Sequence, residues 1–351
     1  MKLLAGLAFA SMAFAAPLAD WRAPSPLNVE LQLMGNSKIK AVITNNGKSN
    51  LKLLKVGTFL DTAPVERAQV FSAEKTVPFD GVRISLDTSA LDDTAFQSIP
   101  SGQSHEVTFD IAEFHDLSAG GKFSVLSSGA LSFATDNSTE LIGSVPFYSN
   151  RLDAEVDGPQ AFSVRTAFHQ KQKRTNVQSD CSGDKLVATQ AALGICAQQA
   201  LIAQQAAANG PAEKMEEYFK ASDAATRSTV ANVFSKIAAE CGTTNAGDSR
   251  YYCSDVYNSC QNGVLAYTLP GGSYMAYCQL YFDRLPGSTS SCHGQSQGNT
   301  NVHEMTHLNQ IKGTSDYGGY GYNFLRSLTA EQNINHADTY ALFANAVSLG
   351  C

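Results

Sequence analysis

Apolar and polar residues alternate through the first half of the chain, from about residue 27 to 150. LNVELQLMG, SKIKAVITN, EVTFDIAEF and GKFSVLSSG are short runs of this kind, with the period of a strand that buries one face. Turn formers separate them, among them Asn46-Gly47, Gly102 and Gly120-Gly121. Short alternating runs at such spacing predict an all-β, sandwich-like domain.

The second half is written differently and predicts mainly helix. DKLVATQAALGICAQQALIAQQAAANG is rich in Ala, Leu and Gln and runs to a glycine stop at Gly210. The next helical stretch starts with Pro211 at a first-turn position, carries acidic residues early, and breaks near Ser222-Asp223. VLAYTL and SYMAYCQLYF flank Pro270-Gly271-Gly272 and predict a hairpin. NVHEMTHLNQIKG reads as a helix stopped at Gly313, and TAEQNINHADTYALFANAVSL as a last helix with a capping box from Thr329 to Gln332. The fold class expected is α+β: a β-sandwich followed by a mainly helical domain with a small β-hairpin region.

With 351 residues, two folded units are expected, and a net charge of −7 without a basic cluster excludes a nucleic-acid binder. The first residues, MKLLAGLAFASMAFAAP, have the Lys2 charge, the apolar core from Leu3 to Phe14 and the Ala13-Phe14-Ala15 site of a secretory leader spanning residues 1–15. No later stretch is expected to approach the ~18 to 20 apolar residues of a membrane span, so the mature protein is expected to be secreted, extracellular and soluble, with no membrane partner. All eight cysteines lie at or after position 181, which implies disulfides confined to the second half. No C-x-x-C pair supports a cysteine metal site. Lys173-Arg174 sits in a polar stretch on the boundary between the two compositions. Cleavage after Arg174 would divide the chain into a β-rich pro-segment, 16–174, and a mature domain, 175–351. Asn137-Ser138-Thr139 is an N-glycosylation sequon and places its loop at the surface.

Within the predicted helix, His303-Glu304-Met305-Thr306-His307 is an H-E-x-x-H pattern. Residues i and i+4 share a helix face, so both imidazoles reach one zinc. Glu304, one position on, lies beside the metal, where it can take a proton from a zinc-bound water. A third ligand must come from elsewhere. The positions three and six residues after His307 are Gln310 and Gly313, which excludes the metzincin pattern. A thermolysin-like glutamate would have to be Glu331. Asp316 is the nearest carboxylate, just beyond the glycine stop that lets the chain reverse. Asp338 and His336, in the last helical stretch, are the other candidates, and Asp338 also suits a carboxylate that holds a ligand histidine in place.

H-E-x-x-H followed by G-T-x-D and a Tyr-Gly pair resembles deuterolysin, the fungal neutral zinc proteases of the aspzincin family. The layout is similar too: leader, long β-rich propeptide, dibasic site, and a mature domain of this size. The resemblance implies a zincin-like catalytic domain with one Zn2+, with His303, His307 and Asp316 as ligands and Glu304 as the catalytic glutamate. It implies protein substrates, with basic ones favoured; peptides are expected as substrates too, the β-rich segment is expected to inhibit its own enzyme, and the protein is expected to be a monomer. The family pattern G-T-x-D-x-x-Y-G differs here by one residue, since GTSDYGGYG has an extra position before the Tyr-Gly pair. The oxyanion tyrosine implied is Tyr320, with Tyr317 and Tyr322 as alternatives. The resemblance also implies disulfides Cys181–Cys253, Cys260–Cys278 and Cys292–Cys351, which leaves Cys196 and Cys241 as a further pair. In residues 175–351 Asp and Glu outnumber Lys and Arg by 14 to 9, a balance compatible with cationic substrates. The competing reading is a secreted, non-catalytic binding protein with a structural metal site.

Overall fold

The structure, a computed structural model, describes residues 24–73, 75–171, 180–243 and 247–351. The expected leader and the Lys173-Arg174 pair lie outside the described residues.

The N-terminal half contains β1 (Leu27–Leu33), β2 (Lys38–Asn45), β3 (Leu51–Leu54), β4 (Gln69–Ser72), β5 (Lys75–Val77), β6 (Arg83–Leu86), β7 (Phe96–Ile99), β8 (Ser104–Asp110), β9 (Gly121–Leu126), β10 (Ser128–Ala134), β11 (Gly143–Tyr148) and β12 (Leu152–Val156), then helix α1 (Gly158–Lys171). Eleven of these strands form three antiparallel sheets, ordered β1-β2-β8, β11-β10-β3-β7 and β12-β9-β4-β5. The alternation reads directly into burial: Leu27, Val29 and Leu31 of β1 are buried while Asn28 and Glu30 are exposed. Those inward residues meet Ile39, Ile43, Leu53, Phe109, Phe123, Val125 and Phe147 in one apolar core.

The second half contains α2 (Gly183–Asn209), α3 (Ala212–Phe219), α4 (Ala224–Cys241), β13 (Arg250–Tyr252), β14 (Val264–Leu269), β15 (Tyr274–Tyr277), α5 (Gln279–Arg284), α6 (Gln297–His307), α7 (Tyr322–Ser327), α8 (Ala330–Asn333) and α9 (Ala337–Leu349). Asp223 caps α4 by accepting from the backbone N–H groups of Ala225 and Thr226, so the break between α3 and α4 falls where a capping carboxylate is available. By length and composition α2 is apolar enough to cross a membrane, contrary to the expectation that no later stretch comes near one. In the fold it packs against α4, α6 and α9. Ala192, Leu193, Cys196, Ala200 and Ala203 lie in the core, and a Cys196–Cys241 disulfide ties the helix to α4. The other disulfides are Cys181–Cys253, Cys260–Cys278 and Cys292–Cys351.

Three expectations change. QLYF belongs to α5 rather than to the hairpin. The metal-motif helix ends at His307, six residues before Gly313. The last stretch divides into α8, which does have the Thr329–Gln332 capping box, and α9. A fourth finding concerns how the halves meet. The sheet of the second half runs β13-β15-β14-β6, so its outer strand comes from the N-terminal half. β6 pairs antiparallel with β14, with Arg83 opposite Thr268, Ile84 opposite Tyr267 and Ser85 opposite Ala266. All four β6 residues are buried.

Candidate metal centre

All eleven residues of α6 are buried, which is unusual for a helix this polar and demands partners for its side chains. Ser296 and Asn299 close its N-terminus in a reciprocal capping box. His303 and His307 share a face, and their Nε2 atoms approach to 3.1 Å.

The helix stops immediately after the second histidine, where Leu308 turns extended. The chain then reverses through Gly313, at φ +71°, a conformation that glycine adopts without strain. Thr314 lies back against the helix: its N–H donates to the Thr306 carbonyl at 3.1 Å, and its hydroxyl meets that of Thr306 at 2.7 Å. Two residues on, Asp316 Oδ1 reaches 3.3 Å from His303 Nε2 and 3.4 Å from His307 Nε2.

These separations suit zinc. Ligand atoms about 2.0–2.1 Å from a tetrahedral zinc stand about 3.3–3.4 Å from one another, close to the three spacings found. The three residues are the one buried His/Cys/Asp/Glu group among the described residues in which such atoms converge. Asp316 Oδ1 is buried without a regular hydrogen bond of its own, which fits an oxygen that ligates a metal.

Both imidazoles are held in the tautomer a metal needs. His303 Nδ1 donates to Asp338 Oδ1 at 2.8 Å, and His307 Nδ1 donates to the Thr314 carbonyl at 3.0 Å. Each bond leaves Nε2 with its lone pair facing the centre. Asp338, in the first turn of α9, is fixed in turn by the backbone N–H of Gly321 at 2.6 Å. Burial disfavours charge on His303, but Asp316 and Asp338 outweigh it and hold its pKa well above the ordinary value. Burial likewise opposes the Asp316 carboxylate, yet the two histidines pull its pKa well below the usual range. The Asp316 carboxylate therefore favours positive charge at His303, whereas burial holds the His307 pKa below its ordinary value.

Glu304 is fully buried, and Oε2 accepts a 2.6 Å hydrogen bond from the Thr268 hydroxyl on β14. Its Oε1 is buried without a hydrogen-bond partner. Burial pushes the carboxyl up to about 8, while His303 and the Thr268 bond act to lower it. Tyr320 packs its ring against His303, with centroids 6.4 Å apart, and donates its hydroxyl to the Ile84 carbonyl at 2.8 Å. The other tyrosines are committed elsewhere: Tyr322 donates to Glu217, and Tyr317 packs against Ala130, Phe324 and Leu328.

The remaining candidates stand apart. His336 is buried but bonded to Thr339 and the Gly319 carbonyl, Glu331 is exposed, and His293 bonds to Tyr218 and stacks on Tyr322. Thr314 is the Thr of the G-T-x-D segment, whereas Thr268 has no motif to announce it. The one signal for Thr268 is its hydroxyl within VLAYTL, a strand buried at all six positions, where a polar group needs a partner.

A family model described as "Deuterolysin metalloprotease (M35) family" matches residues 3–351. A "Neutral protease 2 homolog" from Colletotrichum graminicola is 53% identical over 330 residues, covering 94% of this chain and 93% of its own. Another from Phaeosphaeria nodorum is 48% identical over 353 residues, covering 100% of this chain and 99% of its own. Among solved structures, a "zinc peptidase from Grifola frondosa" aligns with a TM-score of 0.40 at 20% identity, over 47% of this chain and 97% of that one. With a family match that spans nearly every residue and a buried His303–His307–Asp316 centre of zinc dimensions, the chain belongs to the deuterolysin family of zinc metalloproteases.

Proposed function

We propose that the protein is a secreted endopeptidase made as a precursor, with Glu304 as its catalytic base and Tyr320 as its oxyanion donor. His303, His307 and Asp316 would hold a zinc ion, which when bound would supply Lewis acidity to the scissile carbonyl and to the attacking water. Glu304 Oε1 accepts the proton from that water and later delivers it to the leaving amine. Thr268 holds the carboxylate so that one oxygen stays available. Tyr320 donates its hydroxyl to the carbonyl oxygen as negative charge develops there. Asp338 keeps the His303 ring in place and adds negative charge that the bound cation offsets.

The observation that carries this reading is the free, buried Oε1 of Glu304 beside three converging ligand atoms. In the same reading residues 1–15 are a leader, 16–174 a pro-segment, and cleavage after Arg174 releases a monomeric catalytic domain that favours basic substrates. The buried metal centre and the β6–β14 pairing support an inhibitory role for the pro-segment. Chelator-sensitive, zinc-restored hydrolysis of a peptide library by the processed enzyme tests the activity and its basic preference. A processed enzyme that starts anywhere but Thr175 would contradict the assigned boundary.

A further inference from the structure

β14 lies beside the metal-motif helix, bound to it through Thr268 and Glu304. Its inner edge pairs with β15, and among the described residues β6 alone pairs with its outer edge. Without β6 that edge would present unpaired N–H and C=O groups next to the catalytic glutamate. Such an edge binds an extended peptide backbone of nearly any sequence, which is what an endopeptidase requires.

β6 is held there by its main chain as much as by its side chains. The Ile84 carbonyl accepts from Tyr320, the Leu86 carbonyl accepts from Gln295 Nε2 at 2.7 Å, and Asp87 N–H donates to the Gly263 carbonyl at 2.8 Å. Ser85, the residue after the Tyr320-held carbonyl, lines a cavity of about 430 Å³ shared with His303, Tyr320, Asp338, Arg284 and His293. The small serine does not fill that volume, which a longer side chain could enter. On the other side, the Arg83 guanidinium is taken up by Glu66 at 2.5 Å and by the Ser315 hydroxyl at 3.2 Å, next to ligand Asp316. The approach to the strand from its N-terminal side is anchored in the first half: Val82 N–H donates to the Pro64 carbonyl at 2.8 Å, and Asp80 pairs with Arg165.

We propose that β6 is the inhibitory element of the precursor: a substrate-like strand seated on β14, with the Ile84 carbonyl in the position of a scissile carbonyl and Ser85 at the mouth of the pocket for the following side chain. This rests on the reading of residues 16–174 as a pro-segment. It specifies that blockage comes through a strand edge and a carbonyl, and that substrates bind antiparallel to β14.

Hydrogen exchange on the zinc-loaded precursor and on its processed form tests this without a variant that might misfold. The backbone amides of Val264–Leu269 that face β6 should exchange slowly in the precursor and at least about tenfold faster after the pro-segment is removed, while those paired with β15 stay protected. An acetylated, amidated peptide of residues 79–88 should restore the protection. It should also raise KM without lowering kcat, and any slow cut in it should fall between Ile84 and Ser85. Tyr320→Phe should weaken its binding by about tenfold, read by fluorescence anisotropy of the labelled peptide. Equal exchange of Val264–Leu269 in both forms, or a cut elsewhere in residues 79–88, overturns the strand assignment. A separate result, an uncleaved Arg174→Ala precursor as active as the processed enzyme, overturns the pro-segment reading itself.

Discussion

Tyr320 and Ile84 are 236 positions apart in the chain, yet the hydroxyl of one donates a 2.8 Å hydrogen bond to the carbonyl of the other. The tyrosine packs on His303 at the same time, so a carbonyl beside the metal centre falls within its reach. Tyr320→Phe should lower kcat by about 10²–10³-fold, with KM rising by no more than about tenfold. Tyr322→Phe, whose hydroxyl is spent on Glu217, should leave kcat near that of the native enzyme. Steady-state kinetics on the two variants decides the assignment, and equal losses would contradict it.

Glu304 supplies no ligand atom to the metal group, so its removal should separate binding from chemistry. Glu304→Gln keeps the side chain's volume and its contact with Thr268 but cannot accept a proton. The variant should keep its zinc by elemental analysis and lose at least about 10²–10⁴-fold in kcat. Retention of full peptidase activity would remove Glu304 from the mechanism.

Thr268 gives a pH prediction with a definite sign. Its hydroxyl donates to Glu304 Oε2 at 2.6 Å and favours the charged carboxylate, against burial that pushes the carboxyl up to about 8. Thr268→Val removes a bond to the charged form, so the Glu304 pKa rises further. A base works when deprotonated, so the acid limb of the kcat/KM profile should move to higher pH while the alkaline limb stays. A limb that stays put or moves to lower pH would show that Glu304 is not the group being titrated.

Asp338 holds His303 at 2.8 Å while its other oxygen accepts from Gly321. It lies outside the converging ligand group. Asp338→Asn should therefore weaken zinc affinity by about 10–100-fold rather than abolish binding. Competition against a chelator of known affinity measures this directly. Unchanged affinity would leave the carboxylate with a packing role only.

Much of this site was legible in the sequence because its geometry is local. The spacing of His303 and His307 needs only a helix, and Gly313 marks the reversal that returns Asp316. The alternation in β1 and β2 likewise needs only one buried face. What was not legible is what depends on distant chain. β6 reads RISL, too short to show a period, and all four of its residues are buried among residues of both halves. Its membership in the catalytic sheet follows from docking, which no local pattern encodes. The early end of α6 was hidden for a related reason. Residues 308–312 keep helical composition, but backbone bonds from Thr314 to Thr306 and side-chain bonds to His307 favour reversal directly after the second ligand. The split between α8 and α9 likewise follows from a bridge of His336 to Ser315, a contact made only once the Asp316 loop is in place. Thr268 was missed because a single hydroxyl in an apolar strand does not name its partner.

The zinc-to-protein ratio of Asp316→Asn, measured beside the native enzyme at one buffered free-zinc concentration, tests the central claim most directly. With Asp316 as the third ligand, the native enzyme should carry one zinc per chain, and the variant should carry almost none and hydrolyse no peptide. An Asp316→Asn protein that keeps one equivalent of zinc and its peptidase activity would contradict the account.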